Sequence, residues 1–184
     1  MASDPLNLPR WLKVSARVDL ALVLSGARDV MRTELSDSAS FSEITHWART
    51  KALYASCDAF GFVAFARYPG ISRRLLAIDA APGDHILRLG QILGYPICCC
   101  RAARAQGENQ LDSWAARPRR YLGQFRAIDP SRYHFGESLI SHIPCSSKCE
   151  RSLKLTECIR QAGLERFLIA GASRYLQSKT ARAR

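Results

Sequence analysis

The sequence predicts an α+β fold, predominantly helical, in a single domain with one small β-hairpin near residues 61–79 and helices on either side. Three observations lead there. Apolar residues recur at helical spacing along most of the chain. One short segment, Phe62-Val63-Ala64-Phe65-Ala66, consists of strand formers. The hydrophobic fraction, 47% over 184 residues, suffices for one ordinary buried core. The expected organisation is a loose N-terminus (1–9), helices plus the hairpin (10–80), a cysteine-bearing region (81–162), and a C-terminal helix with a basic tail (163–184).

Each element has its own signal. From Trp11 to about Leu35, Trp11, Val14, Val18, Ala21, Leu22 and Ser25 share a helical face, with Arg17, Asp19 and Arg28 elsewhere and Gly26 as an interruption. Ser40 and Glu43 have the spacing of a capping box. Ile44, Trp47, Ala48, Ala52 and Ala55 then continue a helix toward Gly61. Tyr68-Pro69-Gly70 is turn chemistry, so Phe62–Ala66 is expected to pair with Arg73–Ile78. Asp84 caps a helix bearing Ile86, Leu89, Gly90 and Leu93 on one face. Gly94 suits the left-handed position that ends it, and Pro96 suits the first turn of the next helix. Leu139–Ile143 is extended ahead of Pro144. Ser146 or Cys145 then caps a helix running to about Ala162, with Gly163 as its stop. Leu164, Phe167, Leu168, Gly171 and Tyr175 mark a last helix.

Charge and cysteine usage narrow the function. The net charge is +11, and it is uneven: the first hundred residues hold eleven Lys/Arg against nine Asp/Glu, the remainder sixteen against seven. Such a basic half suits an anionic substrate or nucleic acid. No aromatic-interleaved basic motif, helix-turn-helix or zinc-finger spacing accompanies it, so nucleic acid is not the favoured partner. The N-terminus lacks a basic start and apolar run, and no stretch reaches the ~20 apolar residues of a membrane helix. A cytoplasmic protein with no membrane partner is expected. In that compartment the seven cysteines are more readily metal ligands or catalytic groups than disulfides.

Five of those cysteines fall in two segments. Leu93-Gly94-Tyr95-Pro96-Ile97-Cys98-Cys99-Cys100 places thiols in the opening turn of a helix, where orphan N–H groups and the macrodipole favour thiolate. Ser141-His142-Ile143-Pro144-Cys145-Ser146-Ser147-Lys148-Cys149 supplies two more. Four apart at a helix start, Cys145 and Cys149 would share a face, with His142 converging from the incoming segment. Cys98, Cys99, Cys145, Cys149 and His142 together have the makeup of a tetrahedral zinc site or of an iron–sulfur cluster with one alternative ligand. Cys100 is expected to turn away as a structural residue. His85 joins only if its helix packs back on the next. His46, His134 and Cys57 have the setting of packing or surface residues. Clustered cysteines in an apolar run also occur as plain core.

The pairing of Leu93-Gly94-Tyr95-Pro96-x-Cys98-Cys99 with His142-x-Pro144-Cys145-Ser146-x-x-Cys149-x-x-Ser152 resembles a prokaryotic family known as domain of unknown function 483, over roughly residues 80–160. The resemblance implies that Cys98, Cys99, His142, Cys145 and Cys149 are signature residues. It implies no activity.

Three functions fit. In the favoured one, thiolates hold zinc or an iron–sulfur cluster in a metal-dependent tailoring enzyme acting on a small anionic or amino-acid substrate. His142 and Cys99 are its candidate catalytic residues. In the second, a structural zinc staples a basic module for nucleic acid. In the third, one of Cys98 and Cys99 is a metal-free nucleophile or redox group activated by the helix start and His142. No Gly-rich phosphate loop, nucleophile elbow or paired-carboxylate motif points to a common enzyme class.

Overall fold

Seven of the nine residues of α1 (Ala16–Leu24) are buried, so the helix meets neighbours on more than one side. Ala16, Leu20 and Val23 pack with Met31, Val63 and Phe65. Val18, Ala21 and Leu22 face the other way, toward Leu139 and Ile159. The computed structural model describes residues 9–13, 15–35, 39–117, 120–135, 138–161 and 163. Val14, His134's side chain and the expected last helix with its basic tail lie outside them.

The fold is α+β and mostly helical, as the periodicity predicts. The sheet is antiparallel, in the order β1-β3-β2, from β1 (Val30–Glu34), β2 (Tyr54–Cys57) and β3 (Phe62–Ala66). Val30 pairs with Ala66 and Glu34 with Phe62 on one side of β3, and Tyr54 with Ala66 on the other. The central strand alternates between two clusters. Val63 and Phe65 point toward α1 and α2 (Phe41–Thr50), where Ile44 and Ala48 are buried. Ala64 and Ala66 point toward Leu75 and Leu76 of α3 (Ile71–Asp79). Phe65 is fully buried, stacked on Trp11 at 6.2 Å and edge-on to Trp47 at 5.5 Å.

Three expectations are corrected. The hairpin near 61–79 does not form: Phe62–Ala66 is a strand, but Arg73–Ile78 lies in α3. Arg73 and Arg74 are both exposed while Leu75 and Leu76 are both buried. That paired pattern fits a helix and cannot alternate on a strand. Gly70, at φ +81°, turns the chain into α3. The helix expected to reach Leu35 ends at Leu24. Gly26, at φ +81°, lets the chain reverse, and β-branched Val30 and Thr33 continue as a strand. The helix from Ser40 ends at Thr50 rather than near Gly61, which puts Cys57 on β2 and half-buried. Its start is as predicted, since Ser40 and Glu43 form a reciprocal capping box.

Removing the Phe65 ring should leave a cavity at the centre of both Trp contacts. Phe65→Ala is expected to lower unfolding free energy by about 3–5 kcal/mol, measured by denaturant titration of tryptophan fluorescence.

Candidate metal centre

The joint before the first thiols is built by backbone hydrogen bonding. Helix α4 (Ile86–Ile92) ends with Tyr95 N–H donating to Gly90 C=O at 2.9 Å and Gly94 N–H to Gln91 C=O at 3.0 Å. That is a Schellman closure with Gly94 left-handed at φ +73°. Pro96 then sits at the N-cap of α5 (Ile97–Gln106), one position ahead of the expected first turn, and its carbonyl accepts from Cys99 and Cys100 N–H. Cys98 and Cys99 thus occupy the opening turn of α5.

Cys100 is turned away, as expected. Its sulfur approaches Tyr95 C=O at 3.6 Å. A Cβ added at Gly90 would lie 2.5 Å from that sulfur, so glycine there is what lets α4 and α5 close on each other.

The second pair of thiols comes from the segment leading into α7 (Glu150–Gln161). Cys145 and Cys149 do not share a helical face, because the helix begins only at Glu150. Residues 145–148 curl instead, with Cys149 N–H donating to Ser146 C=O at 3.3 Å. Cys149 then caps α7: its carbonyl accepts from Leu153 N–H at 3.0 Å, and its sulfur accepts from the Ser152 backbone and hydroxyl. Cys145 is fixed by its own N–H, which donates to Cys99 Sγ at 3.4 Å.

The result is convergence. The sulfurs of Cys98, Cys99, Cys145 and Cys149 lie within 4.8 Å of one another. Cys99 and Cys149 are 3.6 Å apart, and each is 3.9 Å from Cys98. Among the described residues this is the one group of Cys, His, Asp and Glu side chains close enough to share an ion. Four cysteines able to bind a metal are therefore present. Cys99 and Cys149 are buried, Cys98 and Cys145 half-buried.

His142 is not in that group. It is 5% exposed and stands behind it, its Nε2 2.8 Å from Ser152 Oγ, which is 3.4 Å from Cys99 Sγ. Ser152 Oγ thus bridges the imidazole and the sulfur. Nδ1 is buried without a hydrogen-bond partner. Burial, reinforced by the Arg28 charge, holds the imidazole pKa down to about 3, so the ring is neutral. His85 sits at the far end of α4, with Nδ1 2.9 Å from Gly83 C=O and Nε2 3.6 Å from Glu108.

The thiols have unequal environments. Burial pushes Cys99 well above the usual thiol range, and it pushes Cys145 up to about 11 with help from the Cys149 sulfur. Burial acts on Cys149 too, but hydrogen bonds from Ser152, Cys145 and Cys99 outweigh it and bring it to about 7. The helix start does not by itself make Cys99 a thiolate. Desolvation wins.

Sequence reading missed the polar cluster on which His142 rests. Asp19 and Arg28 form a buried ion pair at 2.5 Å. Ser141 Oγ and Tyr133 Oη donate to the Asp19 carboxylate at 2.7 and 3.0 Å. Tyr95 Oη lies 3.1 Å from Ser141 Oγ, and its ring centroid is 5.2 Å from the Arg28 guanidinium and 5.0 Å from the His142 ring. Burial raises the Tyr95 pKa to about 12, so the phenol keeps its proton. One signal existed: Asp19 is a lone acid inside the apolar run Val18–Val23, and a charge there needs a partner.

No family model, no curated protein and no solved structure matches this chain. Among the described residues, no helix is long and apolar enough to cross a membrane.

Asp19→Ala would leave the Arg28 guanidinium buried without its counter-ion. It is expected to destabilise the protein by about 3–5 kcal/mol, whereas Asp19→Leu with Arg28→Met should cost much less. Thermal and denaturant unfolding of the two variants checks this.

Proposed function

We propose that the protein is a small zinc protein in which Cys98, Cys99, Cys145 and Cys149 hold one ion and so clamp the start of α5 to the start of α7. The sulfur spacing carries this reading. A tetrahedron with Zn–S bonds of about 2.3 Å has edges of about 3.8 Å, and the three sulfur pairs given above measure 3.6–3.9 Å. An iron–sulfur cluster places sulfide-bridged irons between its thiolates, so ligands on different irons stand farther apart than one tetrahedral edge. The spacing therefore favours a mononuclear ion over a cluster.

Two further observations agree. Four buried or half-buried thiols cannot all ionise beside one another without a cation. Zinc supplies it, and its binding displaces their protons. The donors aimed at sulfur, Cys145 N–H and the Ser152 hydroxyl, are of the kind that spread the negative charge of a thiolate site and orient its ligands. His142 acts in this reading through Ser152, as a positioning residue.

A zinc ion with four thiolates has no open position, so substrate does not reach the metal directly. The metal fixes the 141–149 segment and with it His142. The tailoring-enzyme expectation then becomes a zinc-held scaffold that presents His142 and neighbouring groups to a small molecule. A metal-free cysteine nucleophile is disfavoured by the raised pKa of Cys99. The resemblance to domain of unknown function 483 is part of the proposal, since its pattern contains these four cysteines, His142 and Ser152.

Protein purified without oxygen should carry one zinc per chain and no acid-labile sulfide, and its cobalt-substituted form should give a tetrahedral thiolate spectrum. Cys99→Ser and Cys149→Ser should each weaken metal binding at least about tenfold, while exposed Cys158→Ser leaves it unchanged. Bound iron with stoichiometric sulfide would overturn the zinc reading.

A further inference from the structure

The sheet ends at β2, whose strand neighbour is β3 alone. Antiparallel partners alternate between residues that bond across the pair and residues whose N–H and C=O point outward. Asp58 N–H donates to Phe62 C=O at 3.0 Å, so the next bonded pairs are Ser56 with Ala64 and Tyr54 with Ala66. Ala55 and Cys57 therefore direct their N–H and C=O away from β3. The far side of β3 agrees: Arg67 N–H donates to Asp29 C=O at 2.9 Å, so Phe65 and Val63 bond to β1. Leu53 has the same phase as Ala55, and its N–H is taken by Ala48 C=O at 2.9 Å. Among the described residues, no turn, cap or side-chain hydrogen bond takes up the outward groups of Ala55 and Cys57.

A groove of about 520 Å³ runs along this edge. Phe41, Thr45 and Arg49 of α2 line one side, Tyr54 and Ala55 the strand, and Arg73 of α3 the other side. Helices α2 and α3 cover opposite faces of the sheet, so a groove that touches both passes its end. Phe41 and Tyr54 leave 55% and 49% of their surface open there. No Asp or Glu lines the groove. Among the described residues, neither Arg49 nor Arg73 has an ion-pair partner.

We propose that this edge is a docking site for an extended acidic peptide segment of another protein, added beside β2 as a fourth strand. The outward N–H and C=O groups supply the main-chain bonds of such an addition. The arginines supply the charge preference. An added strand points successive side chains to opposite faces of the sheet. Ser56 Oγ, 2.8 Å from Ser72 Oγ of α3, marks the α3 face, which Tyr54 shares. Arg49 reaches the groove from the α2 face and Arg73 from the α3 face, so the matching peptide carries two adjacent acidic residues. Apolar residues flanking them meet the rings of Phe41 and Tyr54. A second copy of this chain fits less well, because it brings the same arginines and the same net charge of +11. A nucleic-acid strand satisfies the arginines and stacks on the rings, but it has no amide ladder for the strand edge.

This inference is independent of the zinc reading. The test titrates the full chain with the capped peptide Val-Thr-Glu-Glu-Val-Thr, its Gln-Gln counterpart and a short oligothymidylate, by calorimetry and NMR. The acidic peptide is expected to bind saturably with a Kd on the order of 1 mM or tighter. The Gln-Gln peptide should bind at least about threefold more weakly. Bound peptide should slow exchange of the Ala55 and Cys57 amide protons. Arg49→Glu with Arg73→Glu, both at exposed positions, should weaken binding at least about tenfold, while exposed Arg88→Ala on α4 leaves it unchanged. Ala55→Pro removes an outward N–H and no β2–β3 bond, so it should weaken binding with the sheet intact.

Absence of saturable peptide binding would overturn the proposal. Equal affinity for the Gln-Gln peptide, or undiminished binding by the folded double-glutamate variant, would do the same. Oligothymidylate binding tighter than the peptide, lost in that variant, would reassign the groove to nucleic acid. Self-association that slows the Ala55 and Cys57 amides without peptide would reassign it to a second copy.

Discussion

Four sulfur atoms, from the start of α5 and from the segment that leads into α7, meet in a space that one ion can fill, and the second half of the structure is arranged around that meeting. Each start contributes for a local reason. Gly94 and Pro96 stop one helix and open the next, so Cys98 and Cys99 fall in a first turn. Cys149 caps α7 with its own sulfur. Neither start creates a site alone. Burial raises the pKa of Cys99 and Cys145, so these two thiols keep their protons until a cation replaces them.

The first half of the chain reaches that site through α1. This helix packs Leu20 and Val23 against the sheet and Leu22 against Ile159 of α7. It also carries Asp19, the acceptor for Arg28, Ser141 and Tyr133. Ser141 lies next to His142, and Tyr95 next to Pro96. A single buried carboxylate thus fixes the residues just ahead of both thiol segments. Such a network is worth having only when complete, because each member left unpaired in a low-dielectric interior is destabilising. The two buried donors that Arg28 leaves without a partner are offset by the Tyr95 ring face.

Much of the local structure was legible. The capping box at Ser40–Glu43, the Gly94-Tyr95-Pro96 joint, the cysteines at the start of α5 and the inward turn of Cys100 all follow from short-range rules about caps, left-handed glycines and helix periodicity. The misread elements share one cause. Arg73–Ile78 and Val30–Glu34 are short, and their own composition does not decide between helix and strand. The available partner decides. β3 pairs with β1 and β2, which leaves Leu75 and Leu76 to cover its far face from a helix.

For the site, the sequence alone singled out the four cysteines and their grouping in two segments, because thiols at a helix start and a Cys-x-x-x-Cys segment are recognisable from spacing. It could not determine which donors meet. That depends on how α7 docks against α5, a packing of elements fifty residues apart. The docking places Cys149 within 3.6 Å of Cys99 and leaves His142 bonded to Ser152 rather than among the sulfurs. The ion pair that steadies His142 was beyond reach for the same reason. Asp19 and Ser141 are 122 positions apart, and only the tertiary structure brings a charge in an apolar helix to a serine near the four cysteines.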